Sequence, residues 1–508
     1  MITAVVDRVS RSTALLFAVS WIALSLASIA WGMATPLSGT PDEPSHIIKA
    51  ASVVRGQFIG REGPDPSRTL VDIPVGLAGA WNWACFAHDE TISAACIPPV
   101  TNGLQLTQAE TSAGLYNPVY YAVVGLPSLV IADTVVDVYA MRALSAILVS
   151  AFLALSFTLL MRLIPSWAAG LAFFGAVTPM VLFLGGAINP NGLEIAAAIS
   201  LTVSLLYVCI GTDRSHERLV LAGVAASAVF LANARGISPL WMAVIGIVVL
   251  IVTPGSRLLE IVRSRRGIVT LAVMALGVAF ALVWLLSTGS LGSLGVFEGA
   301  NDTTPAEAFF VMLLLRTADP GIIALFGWVD TFAPSIVYVI WSALLGAGLI
   351  FGLVAARGRW LIGFLFALAA ALLAPAAVQA TSITTTGYIW QGRYSIAIIA
   401  VALVVAAVAA TQRSLARPVP RAFVRLSSIV GVLVVGGQLI SLAAAVLRYA
   451  SPHSSSPLAL LRGGEWSPPG TGALWLVLLA ISLALLVALW IVSVRREVAA
   501  TMTEPALD

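Results

Sequence analysis

Residues Leu474–Val494 read LWLVLLAISLALLVALWIVSV, followed at once by Arg495 and Arg496. The run carries no charge and matches the roughly twenty apolar residues needed to cross a bilayer core. In lipid, every backbone polar group must be satisfied internally, so only helices and closed barrels span it. Barrel strands alternate polar and apolar residues. This run does not alternate, so it reads as a spanning helix. Comparable blocks recur along the chain, from Thr13–Ala34 onward. Of the 508 residues, 59% are hydrophobic and 10% charged, against about 25% charged in a soluble domain. The reading is an all-α integral membrane protein forming a single polytopic domain over residues 1–508. Thr13–Ala34 is long enough to remain as an anchor, so it is expected to be a span rather than a cleaved secretory signal.

Charge sets the expected thread. Cytoplasmic loops are enriched in Lys and Arg. The basic stretches Arg257–Arg266, Arg357–Arg359, Arg413–Arg425 and Arg495–Arg496, with Arg8 and Arg11, are placed in the cytoplasm. Six apolar segments then lie between the first block and Arg257, at 118–132, 138–161, 166–187, 191–210, 218–233 and 236–253. Parity permits an odd number of crossings. Segment 118–132 is short and interrupted by Gly125 and Pro127, so it is expected to lie at the interface with 133–137 outside. About twelve spans result, with 218–233 the shortest and both termini cytoplasmic. A first external loop covers 36–137, a second covers 288–333, and a cytoplasmic tail covers 494–508. Loops of that length in a compact protein are usually functional.

Several classes are excluded. All but Lys49 of the 27 basic residues are Arg, but they scatter over helix ends, so no nucleic-acid surface forms. Three cysteines make no disulfide scaffold. Cys85 and Cys96 share the first loop and are expected to pair, an oxidising exterior permitting it; two free thiols are the alternative. Cys209 sits in an apolar block. No metal-ligand spacing or cofactor motif is present, and a divalent metal is left open.

Chemistry concentrates at the outer helix ends. Thr40-Pro41-Asp42-Glu43-Pro44-Ser45-His46 follows the first span. A partly desolvated carboxylate there can take a proton from a hydroxyl. The alternative is a Thr40/Glu43 capping box, against which Pro44 restricts Glu43; a helix with Pro44 in its first turn fits better. Trp390-Gln391-Gly392-Arg393-Tyr394 places an arginine outside, against the charge bias. Its guanidinium fork suits phosphate, and an arginine snorkelling beside an aromatic belt is the alternative. Asp42 and Arg393 are expected to converge on one cavity. Arg235 either contacts the same anion or is cytoplasmic through a misplaced 218–233 span. Glu194, in Asn189-Pro190-Asn191-Gly192-Leu193-Glu194, is an intramembrane acid or a first-turn helix acid. In Phe326-Gly327-Trp328-Val329-Asp330-Thr331, Trp328 stacks on a sugar or sits in the headgroup belt. Asp330 binds a hydroxyl or caps a helix. Tyr120, in Tyr116-Asn117-Pro118-Val119-Tyr120-Tyr121, lines the site or anchors the interface.

In that order, Pro-Asp-Glu-Pro-x-His, Asn-Pro-x-Tyr-Tyr, Asn-Pro-Asn-Gly-Leu-Glu, Phe-Gly-Trp-Val-Asp-Thr and Gly-Arg-Tyr resemble domain-of-unknown-function family 2142, predicted bacterial membrane proteins. The resemblance covers about 36–411. That family is similar in layout to GT-C glycosyltransferases, which carry a catalytic acid and interfacial helices in the first external loop. The resemblance implies a GT-C-like enzyme of the bacterial plasma membrane. It would move a sugar from a polyprenyl-phosphate carrier to an external glycan or lipid acceptor, with inversion. Asp42 would take the place of the catalytic acid, with Glu43 beside it. His46, Tyr120, Glu194, Arg235, Trp328, Asp330, Gln391, Arg393 and Tyr394 would bind substrate. Related sequences often carry Asp where Asn191 stands. The other class considered is a flippase or exporter of a lipid-linked saccharide. It would need internal repeats with interrupted helices, and none is visible.

Overall fold

The computed structural model describes residues 2–503 apart from 66, 291–301, 413–419 and 453–456. The basic loop at 413–419, the middle of the second external loop and the end of the tail thus lie outside the described residues.

Nine helices there are long and apolar enough to cross a membrane: Thr13–Ala34, Thr134–Leu163, Pro190–Ile210, Arg265–Thr288, Ser335–Ala355, Gly358–Thr386, Gly392–Thr411, Ala422–Ala450 and Gly472–Ala500. Two broken pairs raise the number to eleven: Ser166–Ala176 with Pro179–Gly185, bent by 65°, and Ser238–Val252 with Gly255–Arg263, bent by 119°. The expected number of about twelve exceeds these by the segment at 218–233. It forms Glu217–Ala232, 16 residues, and runs between the end of the bundle where Glu217 pairs with Arg257 and the end where Arg235 pairs with Glu194.

Prolines explain both breaks. Pro179 and Pro254 withhold the N–H that would continue each helix. At the first break the freed groups are met by protein: the Met180 N–H donates to Ile323 O at 2.9 Å and the Thr178 hydroxyl to Ile322 O at 3.1 Å. No crossing helix forms at 118–132. Two short pieces, Val119–Val124 and Leu126–Leu129, meet at Gly125.

Pro190–Ile210 and Gly392–Thr411 are the central spans, 89% and 83% buried over their most apolar windows, whereas Arg265–Thr288 is 17% buried and Ser335–Ala355 22%. The central pair carries Glu194 and Arg393 near its N-terminal ends, and the peripheral pair turns apolar faces outward.

The loops hold more structure than the sequence led us to expect. In the first loop, Arg61–Glu62, Thr69–Pro74 and Leu106–Thr111 form a three-stranded antiparallel sheet, with Thr69 opposite Thr111 and Pro74 opposite Leu106. Cys85 and Cys96 are bridged. In the second, the apolar helix Pro305–Leu315 packs against Gly358–Thr386. A hairpin then pairs Leu325–Phe326 with Thr331–Phe332.

Candidate functional site

Residues 36–42 turn sharply between the first span and the helix Glu43–Val53. Ser38 and Asp42 both adopt positive φ, 55° and 62°. A left-handed non-glycine residue costs roughly 1 kcal/mol or more, so the surroundings must hold it there. Asp42 stands at the N-cap of Glu43–Val53 without a side-chain capping bond, and Pro44 lies in the first turn. The Thr40/Glu43 capping box does not form: the Thr40 hydroxyl has no partner and Glu43 turns inward.

Glu43 is fully buried. Its Oε1 accepts from Arg142 Nε at 2.8 Å and from the Ile188 N–H at 3.2 Å, and its Oε2 accepts from Arg142 Nη2 at 2.6 Å. Arg142 gives its other donors to Gly32 O at 2.8 Å, Thr35 O at 2.7 Å and Pro36 O at 2.7 Å. All five guanidinium N–H groups are thereby used. The clamp ties the end of the first span to the start of Glu43–Val53 and fixes the backbone on both sides of Asp42. Asn189 adds a bond to Pro41 O at 3.0 Å.

Asp42 faces outward. Its carboxylate is half exposed and pairs through Oδ2 with Arg393 Nη2 at 3.0 Å. Arg393 is buried, in the 3₁₀ turn Gly392–Ser395 that opens Ile396–Thr411. The turn needs its glycine: a Cβ on Gly392 would meet Ile322 N at 2.8 Å and the Asp319 carboxylate closer still. Arg393 Nη2 also donates to the Tyr394 hydroxyl at 3.1 Å, while its Nε is buried without a partner. Arg235 stacks on the same ring, 4.1 Å from its centroid. It also pairs with Glu194 at 3.5 Å, and Glu194 Oε1 accepts from the Ser238 hydroxyl at 2.6 Å. This joins Arg235 to the Asp42–Arg393 cluster and removes the reading in which it sits at the opposite end of the bundle.

His46 Nδ1 lies 2.8 Å from the Tyr121 hydroxyl. Burial pushes its pKa down to about 4; Asp42 opposes the shift and Arg235 and Arg393 add to it. Tyr116 is pushed up to about 12, chiefly by burial. The cluster is thus Asp42, Arg393, Tyr394, Arg235, Glu194, His46 and Tyr116. Gln391 Oε1 and Asn191 Nδ2, on the segments that carry Arg393 and Glu194, are also buried without partners.

Three expected site residues lie apart. The Tyr120 hydroxyl is buried against Ser145 at 2.8 Å. Trp328 Nε1 donates to Ser38 O at 2.9 Å, packing behind the loop. Asp330 accepts from the His88 N–H at 3.1 Å and pairs with Arg448 at 3.3 Å. Arg448 in turn binds the carbonyls of Phe86, Asp89 and Ile92 within the bridged segment. Sequence reasoning missed Arg142, although an arginine inside an apolar span is a candidate by default. It also missed Lys49, the one lysine. Its Nζ donates to Phe58 O and Gly114 O, both at 2.6 Å, and burial pulls its pKa down to about 7. Among the described residues no group of three or more His, Cys, Asp or Glu side chains is arranged to hold a metal ion.

The profile of the family described as "Predicted membrane protein (DUF2142)" matches residues 25–404. No curated protein sequence matches the chain. Two solved structures of ArnT from Cupriavidus metallidurans are similar to it. The one bound to undecaprenyl phosphate has a TM-score of 0.44 at 14% identity, over 96% of this chain and 78% of that one. The apo state has a TM-score of 0.38 at 16% identity, over 95% and 77%.

Proposed function

The chain belongs to the DUF2142 family of predicted membrane proteins, and from that premise we propose that it is a GT-C-like glycosyltransferase using a polyprenyl-phosphate sugar. The observation that carries the reading is the Asp42–Arg393 pair. A half-exposed carboxylate meets a buried guanidinium at 3.0 Å, and that guanidinium keeps a buried, unpartnered Nε. Arginine binds phosphate through two parallel N–H groups, and Arg235, against the Tyr394 ring, supplies a second cation. A lipid phosphate at Arg393 would compete for the guanidinium and release the Asp42 carboxylate.

Asp42 then accepts the proton of an acceptor hydroxyl. The oxygen forms a bond to the anomeric carbon as the bond from that carbon to the phosphate oxygen breaks. The polyprenyl phosphate leaves with the electron pair, its charge held by Arg393 and Arg235. Attack opposite the leaving group inverts the anomeric centre. Glu43 and Arg142 act as positioning residues, since both carboxylate oxygens of Glu43 are occupied. The setting is the outer face of a bacterial plasma membrane, with both termini cytoplasmic and a glycan or lipid as acceptor.

Transport of a lipid-linked saccharide is less favoured. The broken helix Ser166–Gly185 is the kind of interruption transporters use for binding, but its freed groups are taken by Ile322 and Ile323. The test is transfer from a radiolabelled polyprenyl-phosphate sugar in membranes from cells with and without the protein. Asp42→Asn should lose about 10²–10⁴ of the rate while inserting normally. Full transfer by an inserted Asp42→Asn protein refutes the proposal.

A further inference from the structure

At the end of the bundle away from Asp42, where Pro190–Ile210 and Ser238–Val252 finish, lies a cavity of about 290 Å³. Arg257, Arg265, Arg266, Glu217 and Glu260 supply its charge, and Leu221 and Ile261 its apolar wall. Both acids are already engaged. Glu260 pairs with Arg214 and with Arg257 at 2.7 Å, and Glu217 with Arg257 at 3.4 Å. Arg257 is further anchored on Val208 O at 2.8 Å. Arg265 and Arg266, both exposed, form no ion pair among the described residues. They open the helix Arg265–Thr288, whose first turn contains no acid. Cations there face the positive end of the helix dipole, so the cavity holds more positive charge than its own acids offset.

The surroundings are apolar. Gly255–Arg263 exposes Leu259 and Val262, and the following helix exposes Ile268 and Val269. From these juxtapositions we propose that the cavity binds the phosphate headgroup of an anionic phospholipid, with its acyl chains along the outward face of Arg265–Thr288. A free phosphate would satisfy the arginines, but nothing in it would use the exposed leucine, valine and isoleucine side chains on the two helices that line the cavity. The bias of positive charge toward the cytoplasm accounts for arginines on this face. It does not account for a cavity whose acids are neutralised before its last two arginines are.

The test uses the full chain in nanodiscs of phosphatidylcholine, with and without phosphatidylglycerol. Retained lipid is counted by native mass spectrometry and the melting temperature is recorded. Wild type should retain phosphatidylglycerol in preference to phosphatidylcholine and melt higher with it. Arg265→Gln/Arg266→Gln should retain it less, by about fivefold for each arginine removed. In phosphatidylcholine alone the variant should melt no lower than wild type, because relieving cations at a helix start is stabilising. Arg265→Lys/Arg266→Lys, which keeps the charge, should retain most of the preference and covers a double variant that fails to insert. Equal retention by wild type and Arg265→Gln/Arg266→Gln overturns the site. Glycerol 3-phosphate reproducing the whole melting shift in phosphatidylcholine overturns the lipid as its occupant.

Discussion

Arg142→Met isolates the clamp behind Asp42. Methionine fills much of the same space but removes five donors. The Glu43 carboxylate, fully buried, would keep one bond, from the Ile188 N–H at 3.2 Å. The carbonyls of Gly32, Thr35 and Pro36 would lose the arginine donors they now have. Removing one partner of a buried ion pair costs about 3–5 kcal/mol, because the remaining charge is uncompensated. Each of the three orphaned carbonyls adds roughly 1 kcal/mol. A loss of about 6–8 kcal/mol follows. Unfolding of purified protein by rising dodecyl sulfate in mixed micelles, read by tryptophan fluorescence, measures it. Glu43→Gln alone should also destabilise. The double variant should lose less than the sum, by about 1–3 kcal/mol of coupling. A loss below about 1 kcal/mol for Arg142→Met, or single effects that add within about 0.5 kcal/mol, would show that the pair does not clamp the loop.

The remaining predictions concern the site and its loop. Arg393→Lys keeps the charge but loses the fork, so transfer should drop about tenfold or more with the donor's KM raised; unchanged kinetics would remove Arg393 as the phosphate ligand. His46 ordinarily titrates near 6.5 and in the fold near 4. Between those values the unfolded chain binds the extra proton, so stability falls as pH drops through that window, by about 3 kcal/mol in all. In His46→Gln the slope between pH 6.5 and 4 should flatten, as followed by melting temperature against pH. Mass spectrometry of non-reduced, alkylated protein should find Cys85 and Cys96 unmodified and linked; two alkylated thiols there would refute the bridge.

Spanning helices were legible because their signal is local: each is a run of apolar residues read within its own length. The breaks inside two spans were less legible: Pro179 and Pro254 bend helices that hydropathy alone reads as continuous. Asp42 and Arg393 were legible because each stands out in its setting, a paired carboxylate at a span exit and an arginine at the end of an apolar span that the charge bias assigns to the outside. The sheet was not. Thr69–Pro74 and Leu106–Thr111 are six residues each and pair across the bridged segment, and so nonlocal a pairing leaves no periodic trace. Arg142 was overlooked because it was counted within an apolar block, although only a buried acid could justify it there.

The five motifs divide the labour differently from the sequence reading. Asn189 holds Pro41 O at 3.0 Å, Trp328 holds Ser38 O at 2.9 Å and Tyr449 holds Gly39 O at 3.1 Å. Ile188 and Arg142 together hold Glu43. Four separate parts of the chain therefore spend side chains or backbone N–H groups on one short loop. Strain persists only where the surroundings over-determine it, and the positive φ of Ser38 and Asp42 meets that condition. Asp42 is the residue of this loop whose side chain points away from the bracing, and it points at Arg393. A turn needed only to connect two helices would not require such bracing, because any of several relaxed turns would serve. The bracing makes sense if the position of one carboxylate oxygen relative to one guanidinium matters to within a fraction of an ångström, as proton transfer and phosphate binding at a shared site demand.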